Sequence, residues 1–233
     1  MFDLPEKLCQ ERNAGRPDRQ FGAHVIRNQA QQMHRSLRGL EREGFRYVLK
    51  LSSPEEVDAV TIERQSLWNN RRDVHGPFDI VGDVHGCLDE LLELMTALGY
   101  QVEQQNAAFS VAPPDGRKLV FVGDLVDRGP ATPDVLRLAM TMVNAEQAFC
   151  VPGNHDIKLV KALKGRDVQL TRGLTESIQQ LGKNRRVQTQ ASKFLDDLVS
   201  HYVFDDGKLV VAHAGMKESM QGRGSGRRNC LPD

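Results

Sequence analysis

The stretch Phe78-Asp79-Ile80-Val81-Gly82-Asp83-Val84-His85-Gly86 is a short apolar segment followed at once by a polar turn between two glycines. The turn places a carboxylate and an imidazole two residues apart, so in extended backbone both side chains point to the same side. One oxygen and one nitrogen in this arrangement suit a divalent metal such as Mn, Fe, Ni or Zn. The stretch therefore predicts a β-strand that ends in a metal site.

An apolar segment followed directly by polar residues occurs three more times along the chain. An apolar segment at 118–122 precedes GDLVDRG at 123–129, and another at 148–151 precedes GNHD at 153–156. A fourth apolar segment, at 208–212, leads into His213. Ligands of open α/β sheets bind beyond the carboxyl ends of the strands, so we expect these polar groups to meet at one edge. One such motif alone would be consistent with an ordinary turn or helix cap, but three in this order indicate a functional site.

The residue types match a centre of two divalent cations. Asp83 and His85 would hold the first ion, and Asp124 would bridge to the second. Asn154 offers that second ion a carbonyl oxygen, and His213 offers an imidazole. Two ions about 3.5–4 Å apart activate a water and clamp a phosphoryl group, so no protein nucleophile is required.

Three further residues complete the predicted reaction. His155 would act as the general acid that protonates the departing oxygen, and Asp127 would fix its tautomer. Arg128 presents a planar fork of N–H groups for the phosphate oxygens. The phosphate would thus lie beside Arg128, Asn154 and His155.

Composition narrows the class of protein. The 233 residues carry 31 basic and 31 acidic side chains, so no overall basic field indicates a nucleic-acid partner, although arginine is frequent from Arg12 to Arg72. The four cysteines are scattered, which favours a reducing compartment over a disulfide framework or a zinc ribbon. No apolar run is long enough to span a bilayer and the first residues do not resemble a signal peptide, so we expect a cytoplasmic protein without a membrane partner.

The chain divides into two regions that differ in pattern. Residues 1–72 predict a helix over 22–43, a strand over 45–51 and a helix capped by Ser53, and the polar segment 69–77 is a candidate linker. Residues 73–233 alternate between strands and helices, which predicts an α/β sheet protein. The predicted strands are 78–81, 118–122, 148–151 and 208–212, and the predicted helices are 88–98, 133–143 and segments near 157–163, 171–182 and 193–200.

With these motifs in view, residues 73–233 resemble the calcineurin-like metallophosphoesterases, in particular the branch that contains phosphoprotein phosphatases and symmetrical diadenosine tetraphosphatases. The resemblance implies a sandwich of two facing β-sheets flanked by helices. It also implies the same ligand, bridge, acid and phosphate-binding roles for the residues named above.

A closer resemblance is to bacterial polynucleotide kinase-phosphatase, an RNA-repair enzyme. It is carried by residues 16–25, by EGFRYV at 43–48, by the run from Gly76 into the first motif, and by HYV at 201–203 and AHAGMKE at 212–218. It implies that residues 1–72 are the C-terminal remnant of a P-loop kinase domain, and that the full-length protein carries kinase and ligase-like domains. The chain has no Gly-x-x-x-x-Gly-Lys-Ser/Thr, so kinase activity is not expected.

One departure from the pattern concerns the second metal. The resemblance implies a last ligand from a Gly-His-Thr motif well downstream of His213, yet the 18 residues after Gly215 contain no histidine. We therefore expect a C-terminally truncated phosphatase domain with an incomplete second sheet and reduced activity.

The motifs predict a metal-dependent phosphomonoesterase, and the resemblance to polynucleotide kinase-phosphatase implies that it removes a 3′-phosphate or 2′,3′-cyclic phosphate from RNA ends. Its cofactors would be two divalent ions, Mn²⁺ or Ni²⁺ first, with Fe and Zn as alternatives. A symmetrical dinucleoside tetraphosphatase and a Ser/Thr protein phosphatase fit the same motifs, because the motifs report the phosphate chemistry and not the leaving group. An inactive fragment that only binds metal or RNA is the alternative outside the enzymes.

Overall fold

A computed structural model describes residues 2–37, 39–40, 48–63 and 65–224. The chain forms two compact units, Met1–Gln65 and Ser66–Asp233. The described part of the first unit contains three helices, α1 (Glu6–Ala14), α2 (Ala23–Leu37) and α3 (Pro54–Ala59). The predicted cap of α3 is present, because the Ser53 hydroxyl accepts a hydrogen bond from the backbone N–H of Glu56 at 3.2 Å.

Two predictions for the first unit differ from the structure. The helix predicted over 22–43 ends at Leu37, while residues 39 and 40 lie in a turn, and residues 38 and 41–43 fall outside the described residues. Of the strand predicted over 45–51, residues 45–47 also lie outside them. Residues 48–50 form no strand, and Leu51 makes only an isolated bridge to Phe2. That this unit is the tail of a kinase domain stays a prediction.

The second unit is built from eight strands and six helices within the described residues. The strands are β1 (Asn70–Arg71), β2 (Phe78–Val81), β3 (Gln101–Gln105), β4 (Ala108–Ala112), β5 (Lys118–Phe121), β6 (Ala148–Cys150), β7 (His201–Phe204) and β8 (Leu209–Ala212). The helices are α4 (Leu88–Ala97), α5 (Thr132–Asn144), α6 (Asn154–Leu163), α7 (Arg172–Leu181), α8 (Arg185–Asp197) and α9 (Glu218–Gln221). The unit is an α/β fold, as its alternating pattern predicts.

The central sheet brings the three motifs together. Its strands run parallel in the order β2-β5-β6, and the register aligns Val81 with Phe121 and Phe121 with Cys150. Because all three strands end at the same level, the turns that follow them leave from one edge of the sheet. The spatial meeting of the motifs is therefore set by strand register.

A second sheet, in the order β1-β7-β8, packs on one face of the central sheet. Val120 of the central sheet and Phe204 and Val211 of the second sheet form a small buried cluster, and the rings of Phe149 and Phe204 lie 4.8 Å apart. The larger core, on the helical side, includes the fully buried Met142. The two sheets and the helices confirm the predicted layers.

Several elements were not predicted or differ in extent. The candidate linker 69–77 contains β1, which pairs with β7. The buried side chain of Asn69 also bonds to His201 at 2.8 Å, so this segment is part of the second sheet and not a free linker. The β3–β4 hairpin and β7 were missed, and α8 begins eight residues before the predicted 193. None of the described helices is long and apolar enough to cross a membrane.

Candidate active site

The Asp124 carboxylate occupies the centre of the predicted site. Its Oδ2 lies 3.8 Å from His85 Nε2 and 3.7 Å from His213 Nε2. Its Oδ1 accepts a hydrogen bond of 2.9 Å from the backbone N–H of His155. One oxygen is thus fixed by the protein while the other faces two imidazoles, which is the arrangement expected of a bridging carboxylate.

Hydrogen bonds at Nδ1 set the tautomer of both imidazoles. His85 Nδ1 lies 2.8 Å from the carbonyl oxygen of Val126, and His213 Nδ1 lies 2.7 Å from that of Val122. A carbonyl oxygen only accepts, so each Nδ1 carries the hydrogen and each Nε2 presents a lone pair. Outer hydrogen bonds of this kind orient histidines that ligate metals.

The Nε2 of His85 is also a buried polar atom without a hydrogen-bond partner among the described residues. Buried polar atoms are satisfied in nearly all native proteins, so an orphaned lone pair needs an explanation. A divalent cation between His85 Nε2 and Asp124 Oδ2 would supply the missing partner. The residues present therefore fit the predicted metal centre.

Two of the other predicted ligands, Asp83 and His213, lie near the same carboxylate. Asp83 Oδ2 is 3.8 Å from His85 Nε2, and the Asp83 side chain is about half exposed at 54%. Ligand atoms of Asp83, Asp124 and His213 lie within 4.8 Å of one another, as do those of His85, Asp124 and His155. Asn154 is the first residue of α6 and is half-buried. Asp124 belongs to both groups, but how the ligands divide between two ions stays a prediction.

His155 forms the predicted pair with Asp127. Its Nδ1 lies 2.7 Å from Asp127 Oδ2, and its ring meets that of His85 edge-on with centroids 5.0 Å apart. Asp127 is almost completely buried. Since Nδ1 is engaged with Asp127, only Nε2 is available for other partners, which suits a proton donor.

Asp156, a residue of the third motif to which no role in the reaction was assigned, joins that motif to the second. Its fully buried carboxylate accepts hydrogen bonds from the backbone N–H groups of Gly153 at 2.8 Å and Leu125 at 2.9 Å. Burial raises the pKa of Asp156 to about 7.

Two motif glycines are required by close packing. A Cβ on Gly153 would overlap the Asp124 carboxylate and backbone nitrogen, and one on Gly129 would overlap the carbonyl oxygen of His85. Only glycine permits so close an approach of two backbone segments. The glycines of these two motifs are thus explained by contacts between the turns.

Arg128 lies in a turn supported by α7. Its φ is 65°, its side chain is exposed, and among the described residues its guanidinium makes no hydrogen bond or ion pair. Gln180 of α7 donates to the carbonyl oxygen of Gly129 at 3.0 Å and accepts from the N–H of Thr132 at 2.8 Å. No local pattern indicated this support, because Gln180 lies about fifty residues away in an ordinary amphipathic helix.

Comparisons with known proteins identify the family of the chain. A family model described as calcineurin-like phosphoesterase matches residues 76–230. The chain is 42% identical over 146 residues to a Halalkalibacterium halodurans protein named bis(5′-nucleosyl)-tetraphosphatase PrpE [asymmetrical], covering 60% of this chain and 58% of that protein. A protein of the same name from Anoxybacillus flavithermus is 39% identical over 151 residues, covering 63% and 60%.

The chain thus spans about three fifths of the length of these curated relatives. They are named as tetraphosphatases and not as polynucleotide kinase-phosphatases. Among solved structures, a protein serine/threonine phosphatase from Saccharomyces cerevisiae overlays with a TM-score of 0.44 and 19% identity, covering 60% of this chain and 38% of that one.

Proposed function

The chain belongs to the calcineurin-like phosphoesterase family, and we propose that it hydrolyses the phosphate chain of dinucleoside tetraphosphates. The observation that carries the chemistry is the Asp124 carboxylate oxygen facing His85 Nε2 at 3.8 Å and His213 Nε2 at 3.7 Å. The relatives named above support the choice of substrate. Dinucleoside tetraphosphate hydrolysis is preferred here over the RNA-end reaction that the resemblance to polynucleotide kinase-phosphatase implied.

The residues that would hold the cofactors are those grouped around Asp124. Asp83, His85 and Asp124 would hold one divalent ion, and Asp124, Asn154 and His213 the other. When bound, such ions polarise phosphoryl oxygens and lower the pKa of water. Mn²⁺ and Ni²⁺ are the ions we expect.

The protein side chains bind the phosphate and move the proton. Arg128, exposed and without a protein partner among the described residues, is available to bind non-bridging oxygens in bidentate fashion. Protonated His155 would give its Nε2 proton to the departing oxygen. The buried Asp127 carboxylate, bonded to Nδ1 at 2.7 Å, stabilises the imidazolium before transfer and keeps the ring oriented.

Removal of a terminal phosphate from RNA 3′ ends is the second candidate. Its support is the resemblance of residues 16–25 and 43–48, which lie outside the matched phosphoesterase region, to polynucleotide kinase-phosphatase. The site itself does not separate the two reactions, because both break a P–O bond and the residues described act on the phosphoryl group and the departing oxygen.

A substrate panel separates the candidates. Purified chain with added Mn²⁺ or Ni²⁺ is given diadenosine tetraphosphate, a 3′-phosphorylated RNA oligonucleotide and a phosphopeptide at equal concentration. We expect the highest kcat/KM on diadenosine tetraphosphate. The Asp124→Asn variant serves as the matched control and should be inactive. Preference for the RNA would establish the second candidate, and inactivity on all three would contradict both.

A further inference from the structure

We propose that Ser177, on α7, is a positioning residue for proton transfer: it fixes the Asp127 carboxylate, which in turn holds His155 toward the departing oxygen. The inference rests on the proposed function and extends it to a residue outside all the motifs. Ser177 lies 50 residues from Asp127 along the chain.

Ser177 contacts both the side chain and the backbone of Asp127. Its Oγ donates to Asp127 Oδ1 at 2.8 Å and accepts from the Asp127 N–H at 3.0 Å. Ser177 is completely buried and Asp127 is 1% exposed, so water does not compete for these bonds. Asp127 has a φ of 71°, a conformation that non-glycine residues adopt rarely and only when their surroundings hold them there.

The two oxygens of Asp127 therefore have separate partners. Oδ1 accepts from Ser177, and Oδ2 faces His155 Nδ1 at 2.7 Å. The single hydroxyl hydrogen of Ser177 goes to Asp127, so the hydroxyl of Thr132, 3.3 Å from Ser177 Oγ, must be the donor in that contact. Every hydrogen-bonding position of the Ser177 hydroxyl is then used, and its orientation is fixed.

Loss of the hydroxyl should affect orientation and not only packing. Without Ser177, the Asp127 carboxylate could rotate about its terminal bond, which is a soft torsion. His155 would then lose the fixed acceptor that aligns its ring. A serine that merely filled space would lower activity equally on all substrates, whereas a positioning residue matters most when the leaving group needs a proton.

The first experiment compares two leaving groups, with Mn²⁺ added to the folded chain. p-Nitrophenolate is weakly basic and departs with little protonation, while phenolate is more basic and depends on the acid. Ser177→Ala should lower kcat on phenyl phosphate about tenfold and on p-nitrophenyl phosphate by about threefold or less. Ser192→Ala, which removes a buried hydroxyl from α8 away from Asp127, should leave the ratio of the two rates unchanged.

A double-mutant cycle tests the route through His155. In the His155→Ala background, Ser177→Ala should have no further effect on the ratio, because residues acting through one group are not additive. Ser177→Cys, which keeps the shape and a weak donor, covers the case in which Ser177→Ala does not fold; it should give an intermediate ratio. Equal loss on both substrates, or a full additional loss in the His155→Ala background, would overturn the proposal.

A measurement without turnover keeps this inference separate from the proposed function. The Nδ1 proton of His155 should give a downfield proton NMR signal that is absent in His155→Ala. Ser177→Ala should shift or broaden that signal, and Ser192→Ala should not. An unchanged signal in Ser177→Ala contradicts positioning even in an active enzyme. If the wild type hydrolyses neither ester but Ser177→Ala alters the signal, the proposed function is contradicted and the positioning role of Ser177 is not.

Discussion

His85 Nε2 and Asp124 Oδ2 face each other at 3.8 Å, too far apart for a hydrogen bond. Two ligand atoms each roughly 2.0–2.2 Å from one ion can lie up to about 4 Å apart, so the separation is compatible with a shared cation. The same carboxylate oxygen stands 3.7 Å from His213 Nε2. The proposed chemistry depends on this central carboxylate and on the turns that hold it.

Asp156 is expected to stabilise the site region strongly. Asp156→Ala removes the acceptor for two buried backbone N–H groups, those of Gly153 and Leu125. An unsatisfied buried donor costs about 1–3 kcal/mol, so the free energy of unfolding should fall by about 2–5 kcal/mol in urea titration. Asp197→Ala, at an exposed ion pair with Lys193, should leave it unchanged within the error of the titration. Equal effects would show that the Asp156 bonds contribute little.

The sequence predicted which motifs form the site, because each follows an apolar strand and parallel strands end at one edge. It did not predict what holds those motifs. Asp156 accepts a hydrogen bond from a backbone N–H group 31 residues away, and Ser177 and Gln180 bond to residues about 50 positions away. Contacts at such separations leave no local pattern in the sequence. Their side chains are of types that occur on any helix, so only the packed arrangement reveals their roles.

Gly153 should tolerate no side chain. In Gly153→Ala the new methyl group would overlap the Asp124 carboxylate and displace it from the two imidazoles. We expect at least about a hundredfold loss of kcat/KM on p-nitrophenyl phosphate, since small misplacements of a catalytic group have effects of that size. Gly222→Ala is the matched control, because a Cβ there meets nothing within 4 Å. Activity of Gly153→Ala close to that of this control would contradict the predicted packing.

Gln180 should affect phosphate binding through the Arg128 turn. Gln180→Ala removes the bonds to Gly129 and Thr132 that hold this turn, so KM and the inhibition constant for inorganic phosphate should rise about tenfold. Gln190→Ala, at an exposed position of α8, should leave both constants unchanged. A fall in kcat with an unchanged phosphate inhibition constant would assign Gln180 a different role.

His155→Ala should lower kcat by about 10²–10⁴-fold on phenyl phosphate. It should also remove the limb of the pH profile on which activity falls as pH rises, because the general acid must be protonated to act. His75→Ala, at an exposed histidine bonded to Asp205, serves as the control and should keep the wild-type profile. Persistence of that limb in His155→Ala would show that another group supplies the proton.

Part of the N-terminal unit differs from its prediction. Alternating apolar residues over 45–51 predicted a strand, but its described residues, 48–51, form none. Among the described residues Leu51 has only an isolated bridge to Phe2, and a strand requires a neighbouring strand to complete its hydrogen bonds. The β3–β4 hairpin was missed because β3 is mostly polar and solvent-facing, so it has no apolar pattern in the sequence. It is a strand because its backbone pairs with that of β4.

The most direct test of the two-metal account is the metal dependence of p-nitrophenyl phosphate hydrolysis by the wild-type chain and by Asp124→Asn. The wild type should be inactive after chelation and regain activity with Mn²⁺ or Ni²⁺, while Asp124→Asn should remain at least about 10³-fold below it at any concentration of either ion. Hydrolysis that survives chelation, or an Asp124→Asn variant that turns over like the wild type, would contradict the account.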